Sequence, residues 1–171
     1  MNKKLFSKCK KIKLVISDVD GVLTDGGMYY SNKGEFLKKF NTRDGVAVQL
    51  LLKNDIKTVI MTKEKSMIVK KRAKKIHASL VRIGILKKDL ELMNICKKFG
   101  ITAEEIAYLG DDINDLEIMK RVGFSAAPAD GALDVRRIAD YVCKSKGGEG
   151  VLREIADLIL TIKFPHGNML Y

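Results

Sequence analysis

The sequence predicts an α/β domain around a mostly parallel sheet, and three observations predict it. Short apolar, β-branched runs bounded by turn residues recur along the chain. Stretches of helical periodicity fall between them, and acidic or hydroxyl residues follow several runs directly.

Taken in order, the N-terminal MNKKLFSKCKKIK is basic. The apolar stretch behind it, LVIS at 14 to 17, is too short for the hydrophobic region of a signal peptide and reads as the first strand. From Gly27 to Phe40, GMYYSNKGEFLKKF sets two aromatic or apolar pieces around the polar SNKGE, a β-hairpin inserted after the first strand. Its place beside an acidic cluster suits it to cover a site or meet another subunit. Residues 44 to 54 carry Val46, Leu50 and Leu51 at helical spacing, and TVIM at 58 to 61 is the next strand. In 65 to 76, Val69, Ala73 and Ile76 face inward on a helix. His77 then begins a strand running through ASLVRI at 78 to 83. Residues 89 to 99 form a further helix on Leu92, Ile95, Cys96 and Phe99, and IAYLG at 106 to 110, FSAA at 124 to 127 and ADYVC at 139 to 143 complete the strands. The closing FPHGNMLY, which holds His166, shows little periodicity. Residues 1–171 are expected to be one domain, with a core over about 12–160 and a tail over 161–171.

Composition narrows the partners. The formal charge of +11 suits an anionic partner: nucleic acid, a membrane surface or a phosphorylated metabolite. Six Phe and five Tyr without an aromatic and basic stacking pattern argue against nucleic acid. No run approaches the roughly 20 apolar residues that span a bilayer. Cys9, Cys96 and Cys143 lack metal spacing and read as thiols in a reducing compartment, so a cytoplasmic protein is expected.

In open parallel sheets ligands sit at the carboxyl ends of the strands, so the residues there are read together. Asp18, Asp20 and Asp25 follow the first strand, and Thr62 follows TVIM. Lys87 and Lys88 follow the third strand and its loop, and Asp111, Asp112 and Asp115 follow IAYLG. Crowded carboxylates raise one another's pKa unless a cation compensates, and an all-oxygen donor set suits Mg²⁺. With Mg²⁺ and a lysine neutralising a phosphoryl group, Asp18 can attack phosphorus and Asp20 can protonate the leaving alcohol. Asp25 reads as a turn residue. Asp115 reads equally well as a first-turn residue of the helix behind it.

DVDGV after an apolar strand, Thr62, a lysine before a helix and GDDINDLEIM resemble the four ordered motifs of the haloacid dehalogenase superfamily of phosphatases. DVDGVLTDGGMYY, KKFNTRDGVAV, GDDINDLEIMKRVG and GGEGVLREI are similar to its cap-less subfamily of 3-deoxy-D-manno-octulosonate 8-phosphate and nonulosonate 9-phosphate phosphatases, over about residues 12 to 160. The resemblance implies a Rossmann-like doubly wound sheet with helices on both faces and no separate cap domain. It implies Asp18 as nucleophile and Asp20 as general acid/base whose backbone carbonyl is also a metal ligand. Asp111 would complete the Mg²⁺ site of Asp18 and Asp20, Asp112 and Asp115 would support it, and Thr62 and Lys88 would hold the phosphoryl group. The implied substrate is a 2-keto-3-deoxy sugar acid phosphate, and the implied assembly is a homotetramer whose hairpins associate, with a neighbouring subunit over each site.

The same likeness suggests Glu64, Arg72 and Lys75 as substrate-binding residues, Arg72 offering a planar fork for the sugar acid's carboxylate. TKEK at 62 to 65 and GGEG at 147 to 150 look more like the nonulosonate branch than TGRK and GGRG would. Lys63 stands where these phosphatases usually have glycine, and a lysine there makes a positive φ costly. The alternative reading is a non-catalytic oligomerisation or regulatory module of the kind fused to sialic-acid cytidylyltransferases. A phosphoryl-accepting receiver domain is excluded by the order of the acidic motifs.

Overall fold

The computed structural model describes residues 3–165. Six strands form one parallel sheet: β1 (Leu14–Ser17), β4 (Lys57–Met61), β5 (Leu80–Arg82), β6 (Ile106–Leu109), β7 (Phe124–Ala127) and β8 (Tyr141–Val142), in the order β5-β4-β1-β6-β7-β8. β2 (Tyr29–Ser31) and β3 (Gly34–Leu37) make an antiparallel hairpin outside it. Among the described residues the α-helices are α1 (Lys3–Lys11), α2 (Thr42–Lys53), α3 (Met67–Lys75), α4 (Lys88–Phe99), α5 (Leu116–Met119), α6 (Leu133–Ile138) and α7 (Val151–Lys163).

The strands read as continuous apolar runs because both faces are covered. The two-residue side-chain period divides them between two cores. Val15, Ile60, Ala107 and Leu109 join α2, α3 and α7 on one face, while Leu14, Ile16, Val59, Met61 and Tyr108 join α4, α5 and α6 on the other. β1 lies at the centre, with Ser17 opposite Ile60 on one side and Leu109 on the other, so Asp18 leaves the sheet between two neighbours.

The expected strands and helices are present with shifted ends, β5 and β8 being shorter than the apolar runs 78–83 and 139–143, while α6 and α7 lie where no helix was expected. Val46 corrects the expected pattern, since it is exposed while Ala47, Val48, Leu50 and Leu51 are buried. His77 does not begin a strand. It follows α3 at φ 61°, the left-handed conformation that stops a helix. The basic N-terminus, without an expected structure, is α1, which packs on α7 through Cys9 and is tied down by Lys8 to Asp140.

The tail expected from 161 starts later. Ile159, Leu160 and Ile162 are buried, each worth about 1.5–3 kcal/mol on full burial, so α7 runs to Lys163 and Phe164 packs on the same core. The expectation of little fixed structure for the remainder, His166 included, falls outside the described residues. No helix among the described residues is long and apolar enough to cross a membrane.

Candidate active site

The ends of β1, β4 and β6 open into a cleft of about 240 Å³, lined by Asp18, Asp20, Gly21, Gly26, Met28, Thr62, Lys63, Glu64, Asp111, Asp112 and Asn114. Its floor is a buried polar knot. Lys88, the first residue of α4, is driven under the cleft, where its Nζ lies 2.6 Å from Asp18 Oδ2 and 2.7 Å from Asp115 Oδ1. Asp115 is fully buried. It also accepts from the Tyr108 hydroxyl at 2.6 Å and from the Asp111 and Asp112 amides at 3.0 and 3.4 Å. The Val19 amide holds Asp18 Oδ1 at 2.7 Å.

One ammonium thus serves two buried carboxylates, and the set retains excess negative charge. Burial and then Asp115 push the Asp18 carboxyl up to about 8 against the pull of Lys88. Burial, Asp115 and Asp112 push Asp111 up to about 7. Burial alone would lower Lys88, but Asp18 and Asp115 outweigh it and hold the ammonium charged. Burial and the carboxylates raise the Tyr108 hydroxyl well above its ordinary range, keeping it a donor.

Oxygens of Asp18, Asp111 and Asp115 lie within 4.8 Å of one another. Such a hard, all-oxygen, undercompensated set fits a Mg²⁺ ion. Asp115 already serves Lys88, Tyr108 and two amides, which leaves Asp18 and Asp111 as the available carboxylates. Gly21 leaves room for the Asp111 carboxylate: at φ 81° an added Cβ would lie 2.1 Å from Asp111 Oδ2. Of the metal set expected from the sequence, the cluster contains the Asp18 and Asp111 carboxylates; Asp20 was expected to bind through its backbone carbonyl, and its carboxylate turns to Lys38 at 2.6 Å.

Thr62, buried at the end of β4, accepts from the Glu64 amide at 3.1 Å, and this turn sets Lys63 and Glu64 on the rim. Lys63 is not among the described non-glycine residues with positive φ, so the loop carries lysine without left-handed strain. Lys87 is exposed at the start of α4 while Lys88 reaches the floor. Asp112 caps the following turn through the Ile113 amide. Asp25 is a turn residue, accepting from the Gly27 amide and paired with Lys39.

Arg72 and Lys75 are not brought to this cleft. The Arg72 guanidinium donates to the Asn41 carbonyl at 2.8 Å and lies over Phe40 at the start of α2, and Lys75 is exposed at the end of α3. Sequence reasoning missed Tyr108, absorbed in an apolar run, and Lys38, which reads as one more hairpin lysine.

The sequence pattern of the family described as haloacid dehalogenase-like hydrolase matches residues 52–155. The chain is 39% identical to 3-deoxy-D-manno-octulosonate 8-phosphate phosphatase KdsC of Haemophilus influenzae, covering 90% of this chain and 85% of that one. It is also 39% identical to KdsC of Escherichia coli K12, over 91% and 83%. Among solved structures, the 3-deoxy-D-manno-octulosonate 8-phosphate phosphatase from Yersinia pestis superimposes with a TM-score of 0.93 at 34% identity, covering 99% and 93% of the two chains. The enzyme from Moraxella catarrhalis, in complex with magnesium ion, phosphate ion and KDO molecule, gives 0.92 at 35%, covering 95% and 94%.

Proposed function

This chain belongs to the haloacid dehalogenase-like hydrolase family, and from that premise we propose that it is a Mg²⁺-dependent phosphatase of a 2-keto-3-deoxy sugar acid phosphate, with 3-deoxy-D-manno-octulosonate 8-phosphate the first candidate. The observation that carries the reading is the grip of buried Lys88 on Asp18 beneath an open acidic cleft.

In this reading Asp18 attacks phosphorus, the phosphorus–oxygen ester bond breaks, and the Asp20 carboxyl gives its proton to the departing alkoxide. The Asp20 carboxylate then takes a proton from water as the water oxygen attacks the aspartyl phosphate, releasing phosphate and the Asp18 carboxylate. Thr62 and Lys88 hold the phosphoryl oxygens. Asp18, Asp111 and the Asp20 backbone carbonyl would hold Mg²⁺, which supplies neutralising charge when bound. Glu64 is the member of the expected substrate-binding set that this subunit contributes to its own cleft. A homo-oligomer, as a tetramer, is part of the proposal, supported by a hairpin that exposes Met28, Tyr30 and Phe36.

Glu64 on the rim favours a second substrate, a nonulosonate 9-phosphate whose extra hydroxyls it would accept from. Phosphate release from both sugar acid phosphates, with and without Mg²⁺, tests the reading and ranks the two by kcat/KM. Turnover is expected to need Mg²⁺ and to fall by about three orders of magnitude or more in Asp18→Asn. Robust turnover by that variant sinks the mechanism.

A further inference from the structure

A buried lysine at the end of the hairpin reaches Asp20, one of the residues that line the cleft. Lys38, directly after β3, has a side chain with no solvent exposure, and its Nζ lies 2.6 Å from Asp20 Oδ1 and 2.6 Å from Glu35 Oε1. Burial of a lysine ammonium is costly unless anions compensate, and two do. Glu35 is fixed in turn by the Ser66 hydroxyl at 2.5 Å, at the start of α3. The chain Ser66–Glu35–Lys38–Asp20 therefore links α3 through the hairpin to the loop after β1.

Asp20 has few other restraints. Thr24 reaches the same Oδ1 at a marginal 3.5 Å, and Oδ2 is buried with no hydrogen-bond partner among the described residues. The rotation of this carboxyl is thus set chiefly by one ion pair. A general acid must be held within hydrogen-bond reach of the leaving oxygen, and loss of orientation costs rate without a matching loss of binding.

We propose that Lys38 is a positioning residue that orients the Asp20 carboxyl for proton transfer, with Glu35 and Ser66 fixing Lys38 in place. This rests on the phosphatase reading, and it separates from it by leaving group. Nitrophenolate departs from p-nitrophenyl phosphate without protonation, whereas a sugar alkoxide must receive a proton as it leaves. Dephosphorylation of Asp18 needs Asp20 in both cases.

The test compares wild type, Lys38→Met, Lys38→Arg and Asp20→Asn on 3-deoxy-D-manno-octulosonate 8-phosphate and p-nitrophenyl phosphate, by steady-state and rapid-mixing kinetics. In Lys38→Met, kcat on the sugar phosphate is expected to fall about 30- to 100-fold with KM within about 3-fold, part of the full general-acid contribution seen in Asp20→Asn. The same variant should release a rapid burst of about one nitrophenolate per active site before slow turnover. Lys38→Arg should recover most of the rate. Loss of burst and sugar phosphate turnover in equal measure, or unchanged sugar phosphate turnover, overturns the proposal. If Lys38→Met does not fold, Glu35→Gln/Lys38→Met, which removes the stranded Glu35 charge, carries the same comparison. A wild type inactive on both substrates refutes the phosphatase reading itself, while an active wild type with a uniformly impaired variant refutes only the role of Lys38.

Discussion

Asp18 and Asp20 stand two residues apart, yet their lysine partners come from different kinds of scaffold. Lys88 reaches Asp18 from α4, a twelve-residue helix that buries Leu92 and Ile95 against the sheet. Lys38 reaches Asp20 from a two-stranded ribbon outside the sheet, where Tyr30 and Phe36 are 65% and 68% exposed. The floor is over-determined: Asp115 alone accepts from a lysine, a tyrosine and two amides. The wall rests on one ion pair and its Glu35 and Ser66 support. An Asp18 placed by the core and an Asp20 placed by an appendage, the nucleophile and the acid of the proposed reaction, divide stability from adjustability, because isolated two-stranded ribbons are marginal by themselves.

Substitutions on the two sides sharpen this contrast. Lys88→Met should cost the most, about 3–5 kcal/mol in denaturant unfolding, because Asp18 and Asp115 stay buried without their cation. A loss below about 1 kcal/mol breaks the picture of a rigid floor. Tyr108→Phe should cost about 1.5–3 kcal/mol by the same measurement, since a hydrogen bond to a buried carboxylate is removed while Asp115 keeps its other donors.

On the hairpin, Glu35→Gln should cost about 1–2 kcal/mol at neutral pH, because the buried Lys38 ammonium loses one of its two anions and keeps Asp20. Burial pushes the Glu35 carboxyl up, but Lys38 and Ser66 outweigh it and hold it below the ordinary glutamate value of 4.5. Its contribution is therefore fully present above pH 4.5 and lost as pH falls through the lowered value. Thermal unfolding from pH 7 to 3 should show a shallower acid slope in Glu35→Gln than in wild type. An identical slope means the hairpin ion pair adds nothing to the folded state.

Much of this site was legible because strand ends and chemistry coincide. Asp18, Asp20, Thr62, Lys88 and Asp111 each follow an apolar run or open a helix, so topology alone carries them to one edge. The structure also separates cases left open by sequence: Lys88 rather than Lys87 lies under the cleft, and Asp115 is a buried anchor rather than a first-turn ornament. Arg72 and Lys75 were harder to place, since helical spacing names a face but not the element it meets, and α2 takes Arg72. α1 hid for a related reason: its basic sequence carries a single buried residue, Cys9, and only the tertiary packing, chiefly on α7, gives α1 a partner.

The sequence by itself determined the parallel α/β order, the acidic strand ends and the oxygen chemistry that suits magnesium and phosphate, because these follow from local periodicity and donor type. Only the tertiary structure decided which cation serves which carboxylate. Lys88 to Asp115 and Lys38 to Asp20 are contacts 27 and 18 residues apart. A lysine has the same local signal whether it ends in water or beneath a cleft, and burial is set by what packs over it.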